Sequence, residues 1–457
     1  MRLVFFFVLA VVFFAPLGTG KPVDPTRAVI QSSLVWLLMG LTAEIPSSYL
    51  VHRILTRPDK REEWARLLRI LRRLHIVFAV GMYFTTLFLF GWPSVVRNTW
   101  HLSHTLFLDE LVILLPFVLG LLVSWSSFYR VERALHQTSE WSQWLPMQSA
   151  GEFIKAKARY HLAMLLEPLF VFAAIQGALQ GYDAGWNWAT LVLFGLLSLI
   201  AIAWFLPWIW TKAWDTEPMC AGPRRDMLEK ICSKLNIRLT NILVWNTQGQ
   251  QAMALLAGYL PRPRFVIFSD LLLDQLSDDE LCAVFTHELA HIRYRHLWIL
   301  LVYLLLSLLI WTLASWLVST QITTSSIWDQ VLFQSALLGV VLLYVRFTLC
   351  DLSRKLEREA DLMACLAWHD QSHDFGLSVY ANALHRVALL NGESPDHVGW
   401  LHGSVTERTE NMKLMIESPV EQANFSRHML WLKTGLVAAL VSLTVWIAYA
   451  WYAPWKG

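Results

Sequence analysis

HELAH, His287 to His291, is the stretch on which the reading of this chain turns, and it lies inside SDDELCAVFTHELAHIRYRH, residues 277–296. In a helix of 3.6 residues per turn, His287 and His291 project from one face and can hold one metal ion, with Glu288 beside them facing a water at that metal. The run upstream predicts a helix around the motif. Ser277 is placed to cap its N-terminus, Glu280 stands at the capping-box position, and Leu281, Val284 and Phe285 form an apolar stripe. Five letters of this kind also occur on ordinary surface helices, so the rest of the chain has to supply a partner.

A zinc ion that does chemistry takes three protein ligands and keeps its fourth position for water, so one more His, Glu or Asp is needed. SRKLEREAD, residues 353–361, offers it. Glu357 and Asp361 are four apart on a second helical segment, so one carboxylate can bind the metal while the other orients a ligand histidine from behind. Glu359, between them, is expected to point elsewhere. This is the layout of a zinc peptidase with one Zn2+ per chain.

HELAH followed by SRxxExxAD resembles the membrane-embedded zinc metalloproteases of the CAAX prenyl protease and HtpX class, which are gluzincins. The resemblance implies that His287, His291 and Glu357 are the zinc ligands, Glu288 the general base and Asp361 the carboxylate behind a ligand histidine. It runs from Met227 to His296 and reappears in HGSVTER, residues 402–408, where His402 and Arg408 are similar to a family element near the active site. Gly403 stands there in place of the family's proline. His402 and Arg408 are accordingly expected beside the developing oxyanion. QAMALLAG, residues 251–258, occupies the place of the family's substrate strand, with Gln251 replacing its asparagine and a longer spacing to Gly258. Ala252, Met253 and Ala254 are expected to hold an extended substrate through main-chain hydrogen bonds.

Composition agrees with a membrane enzyme. Mean hydropathy is +0.43 and only 16% of residues are charged, against about 25% in soluble domains. Stretches near the length of about 20 residues that crosses a bilayer lie at 28–51, 74–93, 104–124, 161–181, 187–210, 297–318, 327–349 and 430–452. Residues 1–20 read either as a further span or as a signal peptide. The expected fold is a predominantly α-helical multi-pass membrane protein. Its gluzincin-type catalytic domain carries a small β-sheet and is split by a transmembrane hairpin. The parts are residues 21–210 (N-terminal helices), 211–296 (first catalytic part), 297–349 (hairpin), 350–429 (second catalytic part) and 430–457 (last helix). RDMLEKICSKLNIR is expected as an amphipathic helix, and NILVWN and RFVIFS as strands.

Basic residues set the orientation. Residues 52–74 carry Arg53, Arg57, Lys60, Arg61, Arg66, Arg69, Arg72 and Arg73, and residues 129–159 carry Arg130, Arg133, Lys155, Lys157 and Arg159. The intervening loops at 94–103, 182–186 and 319–326 hold only Arg97. Alternation then puts both catalytic parts in the cytoplasm, and the hairpin carries Glu357 back to the side on which His291 lies.

Five cysteines without CxxC spacing read as free thiols, and many of the 24 tryptophans stand near span ends as interfacial anchors. His296, nine residues after His287, falls about 180° around a continuous helix and is expected at the interface rather than at the metal. Asp109, Glu110, Glu167 and Arg346 lie inside expected spans, where they either wall a hydrated chamber for substrate or pair with neighbouring helices. A net charge of +2 speaks against a nucleic-acid partner; the expected partners are a peptide or membrane-protein substrate and the bilayer. The leading reading is a processing or quality-control endopeptidase in a bacterial plasma membrane, with the endoplasmic reticulum as the alternative. A signal-transducing metalloprotease of the antibiotic-sensor kind is disfavoured by the few residues after the last span. A scaffold or transporter with a vestigial zinc site is disfavoured by the full set of ligands.

Overall fold

The computed structural model of the chain describes residues 24–102, 105, 108–138, 149–249, 251–319, 336, 340, 343–366, 373–399 and 402–452. It is predominantly α-helical and divides into two compact units, Met1–Trp214 and Asp215–Gly457.

The first unit consists of long helices: α1 (Pro25–Thr56), α2 (Arg61–Phe84), α3 (Leu108–Gln137), α4 (Ala150–Asp183) and α5 (Trp188–Ala213). Their starts are written locally. Asp24 accepts from Thr26 N and Arg27 N ahead of Pro25, Ser149 and Glu152 form a capping box, and Asn187 accepts from Thr190 N. Met39, Tyr83, Ile113 and Phe117 fill the core between α1, α2 and α3. On α5, by contrast, Val192, Leu193, Leu196, Leu197 and Ile200 are exposed, as side chains facing hydrocarbon are.

Among the described residues, Pro25–Thr56, Leu108–Gln137, Ala189–Ala213 and Pro419–Ile447 are each long and apolar enough to cross a bilayer. Two bent pairs meet the same measure together: Pro58–Leu87 with Trp92–Thr99, bent by 52°, and Asp278–Arg293 with His296–Ser307, bent by 49°. These are the lengths and composition of a multi-pass membrane protein. The span expected at 161–181 falls inside α4. The stretch 3–17 lies outside the described residues, as does most of 327–349. Of the charges expected inside spans, Asp109 and Glu110 are buried and engage Arg97, whose Nε donates to Asp109 Oδ2 at 2.8 Å and whose Nη2 donates to Glu110 Oε1 at 3.4 Å. Arg346 is exposed, and the side chain of Glu167 lies outside the description.

In the second unit, β1 (Thr216–Pro218), α6 (Pro223–Lys234), β2 (Asn241–Trp245), β3 (Ala254–Ala257) and β4 (Phe265–Ser269) precede α7 (Asp270–Gln275). The elements α8 (Asp278–Arg293), α9 (His296–Ser319), α10 (Cys350–Leu366), α11 (His373–Leu390), α12 (Val405–Glu417) and α13 (Pro419–Tyr452) follow. The sheet order is β1-β2-β4-β3, with β2 and β4 parallel and the outer strands antiparallel. The expected amphipathic helix is α6, and the expected strands are β2 and β4. Every residue of β4 is buried, because α8 lies against it: the Phe268 and Phe285 rings sit 5.9 Å apart, joined in one core by Leu228, Val266, Leu281 and Leu289. Gly258 ends β3 at φ +127°, where a Cβ would stand 2.4 Å from Pro263 O. Only glycine fits that turn.

Candidate active site

Helix α8 is held from both ends of its first turn. Ser277 Oγ accepts from Glu280 N, and the Glu280 carboxylate accepts from Ser277 N at 2.9 Å. Asp278, Asp279 and Glu280 add negative charge at the positive end of the helix dipole. One face of α8 is thereby committed to the sheet, and the other meets α10 and α11. Small side chains at that contact, Ala283 on α8 and Ala364 on α10, are fully buried and let the helices approach closely.

The approach brings His287, His291 and Glu357 together, with one ligand-type atom of each lying within 4.8 Å of the others. His287 Nε2 stands 3.3 Å from His291 Nε2 and 3.6 Å from Glu357 Oε2, and His291 Nε2 is 3.8 Å from Glu357 Oε1. Two imidazole nitrogens bound tetrahedrally to zinc at about 2.0–2.1 Å lie about 3.3–3.4 Å apart, so this donor set fits the ion. Glu288 is buried beside it.

The groups around the triad fix its protonation. His287 Nδ1 lies 2.8 Å from Tyr380 Oη and 3.1 Å from Asp361 Oδ1, and the Tyr380 hydroxyl donates to Asp361 Oδ1 at 2.9 Å. Arg408 donates to both Asp361 oxygens, from Nε at 2.9 Å and from Nη2 at 2.6 Å, and Nη2 also donates to Tyr380 Oη at 3.0 Å. Burial opposes ionisation of Asp361, but Arg408 outweighs it and holds the carboxyl at about 2. Burial likewise opposes protonation of His287, and Asp361 and Glu357 overcome it, raising the imidazole to about 10 in the metal-free protein. Burial and then the His287 charge push His291 down to about 3, which keeps its lone pair free. Burial raises Glu288 to about 7 against the pull of His287.

Several residues stand differently from the sequence-based expectation. Arg408 was expected at an oxyanion, yet its guanidinium is turned onto Asp361 and Tyr380, with Glu357 Oε2 3.8 Å away. It anchors the carboxylate that holds His287. His402 faces Glu357, with Nδ1 3.0 Å from Glu357 Oε2, and its side chain is 57% exposed. The substrate-strand residues shift in register. Ala252 and Met253 precede β3, and Ala252 has its N–H and C=O bonded by the Asn391 side-chain amide at 3.0 and 2.8 Å. Met253 is tied to Ser269 through both its main-chain groups. Ala254 is the first residue of the edge strand proper, paired with Phe268. Since Met253 turns its main-chain groups toward β4, alternation along the strand turns those of Ala254 and Leu256 to the edge that no other strand covers among the described residues.

His296 is 1% exposed and directly behind His291 rather than at the interface, and Glu359 points at it. The 180° offset assumed a continuous helix; α8 ends at Arg293, Arg295 adopts φ +59°, and His296 begins the next helix. Tyr380, Asn391 and Lys433 had no sequence signal: they come from α11, its C-terminal end and α13, and only packing brings them here.

Residues 221–393 match the model of Peptidase family M48, a family of zinc metalloproteases. A CAAX prenyl protease 1 homolog of Arabidopsis thaliana and another of Oryza sativa subsp. japonica are each 25% identical to the chain over 195 residues. Each match covers 41% of this chain and 45% of the relative, so the chain spans about half the length of the curated relatives it matches. Among solved structures, that of S. mikatae Ste24p aligns with a TM-score of 0.49 at 16% identity, covering 86% of this chain and all of that one.

Proposed function

We infer, from a chain whose residues 221–393 match the model of Peptidase family M48, a zinc-dependent integral-membrane endopeptidase. It hydrolyses peptide bonds of membrane proteins or membrane-associated peptides, in processing or quality control, with its active site on the cytoplasmic side. The observation that carries this reading is the convergence of His287, His291 and Glu357, three ligand-type atoms within 4.8 Å beside a buried Glu288.

Held by His287, His291 and Glu357, a zinc ion supplies Lewis acidity toward a peptide carbonyl and toward water. The chain's own residues do the rest. Glu288 takes the proton from the attacking water and returns it to the leaving amine; in the metal-free protein burial already raises its carboxyl to about 7. Asp361, clamped by Arg408 and Tyr380, accepts from His287 Nδ1 and so keeps that ring's Nε2 directed at the metal. The open edge of β3, at Ala254 and Leu256, aligns an extended substrate by main-chain hydrogen bonds. His402, on the rim of the site against Glu357, would donate to charge developing on the substrate.

The cytoplasmic side rests on the basic residues at 52–74 and 129–159, and the positive-inside rule gives the cytosol for a bacterial plasma membrane and for the endoplasmic reticulum alike. The test is terminus-selective mass spectrometry on membranes expressing the wild type against Glu288→Ala. New peptide ends that vanish with Glu288 are expected; identical sets of ends in a zinc-loaded pair would reject proteolysis.

A further inference from the structure

We propose that His296, Glu359 and Lys433 form a positioning chain behind His291, fixing its tautomer and ring plane so that its Nε2 is presented to the metal. The proposal rests on the reading of His287, His291 and Glu357 as ligands and adds a support for the second histidine that HELAH does not contain.

The distances form one continuous line. His291 Nδ1 is 2.8 Å from His296 Nδ1, and His296 Nε2 is 2.8 Å from Glu359 Oε2. Lys433 Nζ, from α13, donates to the same Glu359 oxygen at 2.5 Å and to Tyr294 O at 3.4 Å. The Lys433 ammonium also lies over the Tyr294 ring, 5.2 Å from its centre. His296 is fully buried, and the side chains of Glu359 and Lys433 are largely so, at 13% and 16% exposed.

Donor and acceptor counting, with a metal bound at His291 Nε2, leaves one arrangement for a line of this kind. Glu359, paired with an ammonium, is ionised and only accepts. His296 Nε2 therefore carries the proton that faces it. The two Nδ1 atoms at 2.8 Å share a single proton between them. With His296 neutral, that proton sits on His291 Nδ1 and is accepted by His296. His291 Nε2 then keeps its lone pair on the side where His287 Nε2 and Glu357 lie. The reverse arrangement, a doubly protonated His296 donating to His291, would put the His291 proton on Nε2, where the metal belongs.

The two ligand histidines thus reach their carboxylates differently. His287 meets Asp361 directly, whereas His291 reaches Glu359 through a second imidazole. The turn at Tyr294 and Arg295 makes this geometry, since the 49° bend between α8 and α9 brings His296, the first residue of α9, against His291. Partners of a metal-binding histidine are worth about 10–100-fold in metal affinity when removed, which sets the size of the expected effect.

The test uses the full chain in detergent, with zinc affinity read by chelator competition and the visible absorption of the cobalt(II)-substituted protein as a second readout. His296→Phe fills the space without either nitrogen, and His296→Gln retains one acceptor and one donor. We expect the Phe variant to lose about 10–100-fold in zinc affinity and to alter the cobalt spectrum, with most of the loss restored in the Gln variant. Lys433→Met, at the far end of the line and on another helix, is expected to give a smaller loss and a shifted spectrum even if His296→Phe fails to fold. A zinc affinity and cobalt spectrum unchanged in His296→Phe, or in Lys433→Met where the former does not fold, would overturn the positioning chain while leaving the ligand set intact. A wild type that binds no stoichiometric zinc would overturn both.

Discussion

Glu288 and Glu357 share one small buried space and are separated in role by their neighbours. Burial resists ionisation of Glu357, but His402 and His287 hold its carboxyl well below the usual range, so it remains a permanent anion. Glu288 is pushed up to about 7 and exchanges its proton near neutrality. Glu288→Gln should therefore keep zinc and lose about 10²–10⁴-fold in turnover, whereas His287→Ala, His291→Ala and Glu357→Ala should lose the metal; atomic absorption on the purified variants distinguishes them. Full zinc in Glu357→Ala would move the third ligand to Glu359 or Asp361. A second expectation concerns pH. Metal-free His287, raised to about 10, carries a proton that zinc must displace, while His291 is already neutral. Zinc affinity should thus rise about tenfold per pH unit across the neutral range, with about one proton released per ion. Calorimetry in two buffers of different ionisation enthalpy reads this directly, and equal affinities at pH 6 and 8 would mean that His287 is neutral. Tyr380→Phe removes the hydroxyl that joins His287, Asp361 and Arg408. A loss of about 1–3 kcal/mol in folding stability is expected from the unpaired groups, read as a lower unfolding midpoint. The convergence of His287, His291 and Glu357 was legible because histidines and carboxylates four apart on helices report their own geometry. Tyr380 was not, since nothing in SVYANALHR ties it to a residue 93 positions earlier.

At the level of elements, α8 and α10 could be read because their period and caps are local, and Ser277 with Glu280 closes the capping box that the letters announce. The β3 segment was harder. Its main-chain pairing depends on Ser269 from β4 and Asn391 from beyond α11, so the register slipped toward Ala252 and Met253. The break between α8 and α9 was hidden for a related reason: Tyr294 and Arg295 are ordinary helix formers, and the left-handed Arg295 is imposed by its surroundings. Gly258 is the residue on which the β3 edge depends. Gly258→Ala must be accommodated at φ +127° against the Pro263 carbonyl, at a cost of about 1–3 kcal/mol. A lower unfolding midpoint and a higher KM for peptide, with zinc content preserved, are expected; a normal KM would show that the substrate does not use this edge.

For the whole molecule, sequence composition was enough to recognise several membrane-length helices, because burial in lipid demands only length and apolarity. The packing inside the first unit was not legible, as the Arg97 pairing with Asp109 and Glu110 depends on residues 12 and 13 apart meeting across a bend. Orientation is testable through Cys220, which is exposed while Cys282, Cys350 and Cys365 are buried. On intact cells a membrane-impermeant maleimide should leave Cys220 unmodified and react only after permeabilisation; labelling from outside would invert the topology. The metal site also has a history in time. His291 leaves the ribosome before Glu357, and Lys433 of α13 comes later still, 142 residues after His291. At about 5–20 residues per second, the two histidines wait several seconds for Glu357 and longer for Lys433, at the end of the line behind His291. The growing chain therefore lacks the full His287, His291 and Glu357 set until Glu357 has emerged, and ribosome-arrested chains that stop short of Glu357 should fail to retain zinc.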